Sequence, residues 1–499
     1  MNGHKKRKYA PKGLLLLLLS LLLLGCASCR RYEPVALSET EGRLLLEGEK
    51  GGKNGSTAEG EESTASEEPE ESTEAQAISL HSEPDREPVK VKGIYLGANA
   101  VGVSDFMDRI IQRMDETELN AVVIDVKDDY GRITYQMSGV PLVDELGAVN
   151  VKIGDMPGVI RKLKSHGIYC IARIVALKDP YIAEQKPEWS LHLADGSIFR
   201  DNKGDAWVNP YQKEYWDYLV DVSKAAGELG FDEIQFDYIR FCTERGIDGV
   251  VYDEADTQGR DKISIISELV AYLSQKLRME GLFVSCDVFG TIIGSPIDAQ
   301  SVGQDYTAMA DEIDYICPMI YPSHYASGNF GLEHPDRQPY ETILGALGKS
   351  RTELLRAKDE TKEQAIVRPW LQSFTASYLG EGNYMQYNAE TTRAQIQAVY
   401  DAGYDEWILW SASANYYYDG LLSPEAAEAE AAQIEASRAA LPEETLPESL
   451  SAAGGANAPS TDQDALPEEL ESALLGDDLS ESDRAILEQE GAVVINGDE

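Results

Sequence analysis

The sequence predicts an α/β protein: a (β/α)8 barrel set between two acidic flanking segments that do not fold. Three observations predict it. Apolar runs of strand length, rich in β-branched and aromatic residues, recur eight times between residues 91 and 412. Amphipathic stretches of helix length lie between them, and several close on Gly. Strand–helix alternation implies parallel pairing, and eight such runs within residues 89–440 suit a barrel with insertions. An open doubly wound sheet is the alternative, but no Gly-rich fingerprint follows the first strand run.

The chain opens on a basic stretch, "HKKRKYAPKG", followed by "LLLLLLSLLLLG" at residues 14–25. That apolar run is shorter than the roughly 20 residues of a transmembrane span and has the build of a secretory signal. It ends Leu23-Leu24-Gly25-Cys26, which resembles a bacterial lipobox. The resemblance implies cleavage before Cys26 and lipidation of its thiol. A plain signal peptide and an uncleaved anchor are the alternatives. The expected organisation is therefore a signal peptide at 1–26, a disordered acidic linker at 27–88, the barrel at 89–440 and a disordered acidic tail at 441–499. The linker and tail are rich in Glu, Ser, Gly and Thr, or in Pro, Ala and acid. Such compositions bury too little apolar surface to offset chain entropy.

Within the barrel block the strand runs come in order. They are "VKGIYLG" (91–97), "AVVIDVKD" (121–128), "YCIARIVALKD" (169–179) and "EIQFDYIRF" (233–241), then "LFVSCDVFG" (282–290), "YICPMIYPSHY" (315–325), "VRPWLQSF" (367–374) and "EWILWSA" (406–412). Helix-period segments separate them: "SDFMDRIIQRMDETE", "MPGVIRKLKSHG", "YQKEYWDYLVDVSKAAGELG", "ISIISELVAYLSQKLRMEG", "YETILGALGKSRTELLR" and "TTRAQIQAVYDAG".

Charge and cysteine usage exclude some functions. A formal net charge of −43 over 499 residues argues against nucleic acid, whose phosphates call for basic patches. It argues equally against electrostatic docking on anionic lipid. Cys26 and Cys29 belong to the export region. Cys170, Cys242, Cys286 and Cys317 lie in or beside apolar runs without a CxxC pair, which reads as free buried thiols. The histidines of the block, His166, His192, His324 and His334, form no pair at helical spacing. No metal and no cofactor is expected. "DVKDD" (125–129) keeps a competing reading as a hard-cation site.

Barrel active sites form at the C-terminal ends of the strands, and strand side chains alternate. Asp125 and Lys127 fall on one face of the second run, and Gln235 with Asp237 on one face of the fourth. Ser285 with Asp287 share a face of the fifth, and Arg173 lies in the third. The sixth ends in Tyr321 and His324, the seventh carries Arg368, Trp370 and Gln372, and the eighth has Trp410. The opposite faces are apolar. Carboxylates, arginines and flat aromatic faces at one end of a barrel suit sugar chemistry, in which a carboxylate pair flanks the scissile bond. "AWVNPYQKEYWDYL" adds Trp207 and Asn209 in the loop after the third run.

The motifs "VVIDVKDDYG", "WVNPYQKEYWDYL", "GFDEIQFDYIRF", "SCDVFG", "CPMIYPSHY" and "RPWLQSF" follow one another in order. Together they resemble a bacterial family of TIM-barrel proteins classed as glycoside hydrolases without an assigned substrate, over residues 90–420. The resemblance implies a glycosidase-like barrel. More distantly, "GFDEIQFDY" is similar to the chitinase β4 motif of alternating acids ending in Glu. The matching positions here are Asp232, Gln235, Asp237 and Ile239, so the terminal Glu is missing and substrate-assisted chemistry is not expected.

On this reading Asp237 is the nucleophile or central carboxylate, Asp287 the general acid/base and Asp125 the reserve. Lys127, Arg173, Trp207, Asn209, Arg240, Tyr321, His324, Trp370 and Trp410 are expected to bind substrate. Structural alternatives stand beside these roles. Asp237 can be half of a buried ion pair with Arg240 or Arg173, Asp287 can hydrogen-bond a loop, and Asp125 can pair with Lys127. His324 can be structural, and one of Trp207 and Trp370 can be core. The partners expected are a cell-wall or extracellular carbohydrate polymer and, through Cys26, the outer side of the cell membrane; the chain is expected to be a monomer. A non-catalytic carbohydrate-binding barrel is the alternative function, and a metal-dependent deacetylase is disfavoured by the histidine pattern.

Overall fold

The computed structural model describes residues 86–358 and 361–439. Cys26, the apolar leader, most of the N-terminal linker and the C-terminal tail lie outside the described residues.

Eight parallel strands close on themselves: β1 (Lys92–Leu96), β2 (Ala121–Lys127), β3 (Tyr169–Val175), β4 (Glu233–Asp237), β5 (Phe283–Phe289), β6 (Tyr315–Ile320), β7 (Trp370–Gln372) and β8 (Trp407–Trp410). Each pairs with its neighbours in sequence, and β1 pairs with both β2 and β8, so the sheet has no free edge at that point. The predicted (β/α)8 barrel is what the chain forms.

The outer ring comprises α1 (Ser104–Asp115), α2 (Met156–Ser165), α3 (Lys213–Leu229), α4 (Lys262–Arg278), α5 (Pro339–Ala357), α6 (Ala389–Asp401) and α7 (Pro424–Ala439). Local chemistry sets their ends. The Asp261 side chain caps α4 by accepting from the Ser264 N–H. Asn388 and Thr391 form a reciprocal capping box on α6. Gly230 ends α3 in the left-handed region, with φ 114°. Between β5 and β6 two short helices, Pro296–Val302 and Tyr306–Ala310, replace one long one. Two further strands, Ile133–Tyr135 and Val149–Ile153, extend the sheet outward from β2.

Alternation divides the strands into two faces. The outward side chains, such as Ile124, Ala172, Ile234 and Val284, are buried against the helices in one large apolar core. Truncating one of them, Ile124→Ala for instance, costs about 2–5 kcal/mol. The inward side chains stack in layers. At the floor Arg368 bridges Glu233 (2.8 and 3.0 Å) and Glu406 (2.8 Å) and lies 3.7 Å from the Tyr315 ring. Above it Gln235 donates to the Cys317 Sγ at 3.4 Å. All four cysteines of the block are free and buried, as their setting predicts.

Both ends of the described chain are tied to the N-terminal face of the barrel. Arg86 donates to the Leu282 carbonyl and to Asp314, just ahead of β5 and β6. Lys90 and Arg438 both pair with Asp405, just ahead of β8.

Candidate active site

The opposite face carries a narrow cleft at the C-terminal ends of the strands. β4 delivers Asp237 to it as its last residue, and the next residue, Tyr238, has φ 49°. A non-glycine residue in the left-handed region is uncommon and strained. The turn has two effects. It ends the strand that the sequence pattern would carry on to Phe241, and it points the Tyr238 N–H back at Asp237 Oδ1, at 2.6 Å.

Arg173, on the neighbouring β3, organises the carboxylates. Its Nε and Nη2 donate to Asp237 Oδ2 at 3.0 and 2.6 Å. Nη1 donates to Asp125 at 2.8 Å and to Asp129 at 3.4 Å, and Nη2 also reaches Asp129 at 3.1 Å. A guanidinium has five N–H groups, and here three carboxylates take all five. Arg173 therefore positions acids rather than offering a donor to a sugar hydroxyl. Of the two ion pairs the sequence allowed for Asp237, the one with Arg173 forms. Arg240 instead donates to the Phe241 carbonyl and packs its guanidinium against the rings of Trp207, Tyr238 and Phe289.

Asp287, from β5, faces the same cleft in a different setting. It is 3% exposed, and its Oδ1 accepts the Trp370 indole N–H at 2.6 Å. Burial, reinforced by the negative charge of Asp237, pushes its carboxyl well above the ordinary range, and the indole donor only partly opposes this. Asp125 is raised too: burial outweighs the Arg173 charge. It lies behind Arg173 and accepts the Tyr95 hydroxyl at 2.7 Å, so it supports the site rather than lining the cleft. Asp129 goes the other way. Burial works to raise it, but the charge and hydrogen bonds of Arg173 outweigh burial and hold it below the ordinary value.

Of the residues singled out from sequence, Asp237, Asp287, Arg173, Arg240, Tyr321, Trp370 and Trp410 meet in the cleft. Five others do not line it, Asp125 among them. The β2–β3 register shifts between Asp125 and Lys127, and this irregularity breaks the expected shared face. Lys127 turns outward, fully buried, to Asp179 at 2.8 Å and the Val175 carbonyl at 2.6 Å. The Trp207 indole is buried and spends its N–H on Asp201, so Trp207 is the core member of the tryptophan pair. Asn209 accepts from the Tyr211 N–H and lines a separate surface cleft with His192 and Asp256. His324 sits behind Tyr321, ring centroids 5.0 Å apart, and burial pushes its imidazole down to about 3.

Sequence reasoning passed over Asp129, Tyr95, Tyr238, Phe289 and Met319 as site residues. Tyr95 was detectable, because it shares the inward phase of β1 with Gly93. Asp129 was visible only as part of an acidic run. Among the described residues no cluster of ligand-type side chains is grouped to hold a metal ion, and no helix is long and apolar enough to cross a membrane.

Comparison with known proteins places this site in context. Residues 93–416 match the profile of a family described as "Putative glycosyl hydrolase domain". No curated protein matches the chain. Among solved structures, a hypothetical protein from Ruminiclostridium thermocellum is 36% identical over 39% of this chain and 97% of its own, with TM-score 0.36. The glycoside hydrolase domain of PgaB (BpsB) from Bordetella bronchiseptica is 13% identical over 70% of this chain and 98% of its own, with TM-score 0.47. An α-galactosidase from Thermus thermophilus is 13% identical over 70% and 62%, with TM-score 0.41.

Proposed function

Because the chain belongs to this glycosyl hydrolase domain family, and is thereby a glycosidase, we propose that it cleaves glycosidic bonds of a cell-wall or extracellular polysaccharide with Asp237 and Asp287 as its carboxylate pair. One observation carries the assignment. The two acids face one cleft in opposite settings, Asp237 paired with a guanidinium and Asp287 buried against an indole. Pairs of acids set apart in this way divide into an ionised partner and a proton donor.

Asp287, its carboxyl raised by burial and by the charge of Asp237, serves as the proton donor to the departing glycosidic oxygen. Trp370 occupies Oδ1, which leaves Oδ2 to carry that proton. Asp237, as carboxylate, supports the positive charge that develops at the anomeric carbon, and attacks it or activates a water. The anomer first released, followed by NMR, distinguishes retention from inversion. Arg173 holds Asp237 in place, and the faces of Trp410 and Tyr321 offer apolar surfaces to the C–H sides of a sugar ring. Cys26, if lipidated, would tether the enzyme to the outer side of the cell membrane, where such polymers lie.

The test is sugar release by residues 86–439 from a panel of cell-wall polymers and exopolysaccharides, beside Asp237→Asn and Asp287→Asn. Release by the wild type and not by the folded variants supports the assignment. Binding of one polymer without release by any of the three would replace it with a carbohydrate-binding barrel.

A further inference from the structure

A second cleft lies outside the site described above, built by the loops that follow β3 and β4. The two loops pair through a short antiparallel ladder, His192 opposite Val251 and Leu193 opposite Val250, which is no part of the barrel closure itself. The cleft beside the ladder holds about 310 Å³, at the low end of the roughly 300–1,000 Å³ of small-molecule sites. It is a neighbour of the active cleft. The Tyr252 ring in its lining lies 6.0 Å from Phe241, and the residue before Phe241, Arg240, lines the active cleft.

Asn209 is the group that calls for a ligand. It reaches this cleft from the "WVNPYQ" motif and is 8% exposed. Its Oδ1 accepts the Tyr211 N–H at 3.2 Å, which fixes the orientation of the amide. Its Nδ2 has two N–H groups to give, meets no acceptor among the described residues and is not sealed from the cleft.

Around this donor the lining is rich in acceptors. Gln212, from the same motif, donates Nε2 to Asp256 Oδ2 at 3.2 Å, which leaves its own Oε1 and Asp256 Oδ1 free to accept. Asp253 Oδ1 accepts the Ala255 N–H at 2.8 Å, which leaves Oδ2. Glu188, Asp253 and Asp256 make no ion pair among the described residues, and no Lys or Arg lines the cleft. Arg260, on the same loop, is committed to Glu268 and to the Thr257 and Asp256 carbonyls. Tyr252 is half-buried and is met edge to face by Tyr211 at 5.5 Å. A ligand that suits these groups brings positive charge and donors to the carboxylates, a hydroxyl oxygen to Asn209 and C–H groups to an aromatic ring. A sugar bearing an amine brings all of them, whereas an acidic sugar would set its carboxylate against three uncompensated ones.

We propose that this cleft is a second carbohydrate site, for sugar units that carry a free amine. The ammonium meets the carboxylates, Asn209 Nδ2 donates to a hydroxyl oxygen and the Tyr252 ring takes C–H groups of the sugar. Beside the active cleft, it holds one stretch of a polymer while another is cut. That last role rests on the hydrolase reading; the binding does not.

The experiment titrates oligomers of glucosamine, N-acetylglucosamine and galacturonic acid, equal in length, into the protein and into Asp237→Asn, which separates binding from cutting. Calorimetry in mildly acidic buffer keeps the amine protonated. Glucosamine oligomers should bind about tenfold tighter than N-acetylglucosamine oligomers, more weakly as salt rises, and galacturonic acid oligomers should not bind. Tyr252→Ala, and separately Asp253→Asn with Asp256→Asn, should weaken that binding by about tenfold or more. The paired change keeps the Oδ1 that accepts from Ala255, so loss of the fold is not expected to mask it. Trp410→Ala, in the active cleft, should leave it in place. Equal affinity for the amine and N-acetyl oligomers, preference for the acidic one, binding that survives both second-cleft variants, or no binding at all would overturn the proposal. Polymer release without glucosamine binding would sink this site alone, and glucosamine binding without release would leave it standing while the hydrolase reading falls.

Discussion

Arg173→Met is the most telling single change, because it removes the positive charge that three acids share. Arg173 is 6% exposed and Asp125 5%, while the Asp129 and Asp237 side chains retain 17% and 14% exposure. Removing one partner of a buried ion pair costs about 3–5 kcal/mol, since the remaining charge loses its compensation. With a urea slope of about 3 kcal/mol/M, the unfolding midpoint should fall by about 1–1.7 M at pH 7. The pH dependence has a defined sign. Asp129 is held below its ordinary value in the fold. Its pairing therefore contributes stability that is complete above the unfolded carboxylate value of about 3.9 and is lost as pH falls through the folded one. The gap between wild type and Arg173→Met should accordingly be widest near neutrality and narrow in acid. Arg173→Lys keeps the charge but offers three donors in place of the five-donor fork, and should lie between the two. Tryptophan fluorescence through urea titrations at pH 7 and pH 3 reads all three proteins. A variant within 1 kcal/mol of wild type at pH 7, or a gap that widens in acid, would refute the account of Arg173 as the organiser of the site.

Asp287→Asn should lower kcat/KM by about 10²–10⁴-fold on natural linkages and much less on aryl glycosides whose leaving group needs no proton. Wild-type activity should fall as pH rises through the elevated Asp287 value, and Trp370→Phe, which removes the hydrogen bond opposing that elevation, should move the basic limb to higher pH. Lys127→Met breaks a fully buried pair with Asp179 outside the cleft, so it should cost about 3–5 kcal/mol of stability and leave KM unchanged in the protein that folds. His324, pushed down to about 3 by burial, should keep a constant ring-proton NMR shift from pH 8 to pH 4.5, and titration near 6.5 would contradict its placement.

The barrel was legible because its signals are local and repeated. Each strand run carries its own apolar outward face, and each helix its own stripe, so eight weak signals reinforce one another. The site was legible as far as strand phase holds. Asp237, Asp287 and Trp370 follow from alternation alone, each being inward on its strand. Lys127 did not follow, because one register shift in β2 turned it to the helix side. Trp207 and Asn209 sit on a long loop, where no period exists to say which way a side chain faces. Asp129 joins the site only through Arg173, from 44 residues away in sequence, and a contact of that range leaves no local pattern. The turn at Tyr238 is likewise enforced by its surroundings rather than by a residue type that favours it.

The two ends of the described chain, at Arg86 and Arg438, are pinned to the face opposite the mouth. A molecule held by either end stands like a cup on its base, open away from its support. Attachment to a bead, a sensor surface or a fusion partner at either terminus should therefore leave catalysis untouched, and the orientation needs no engineering.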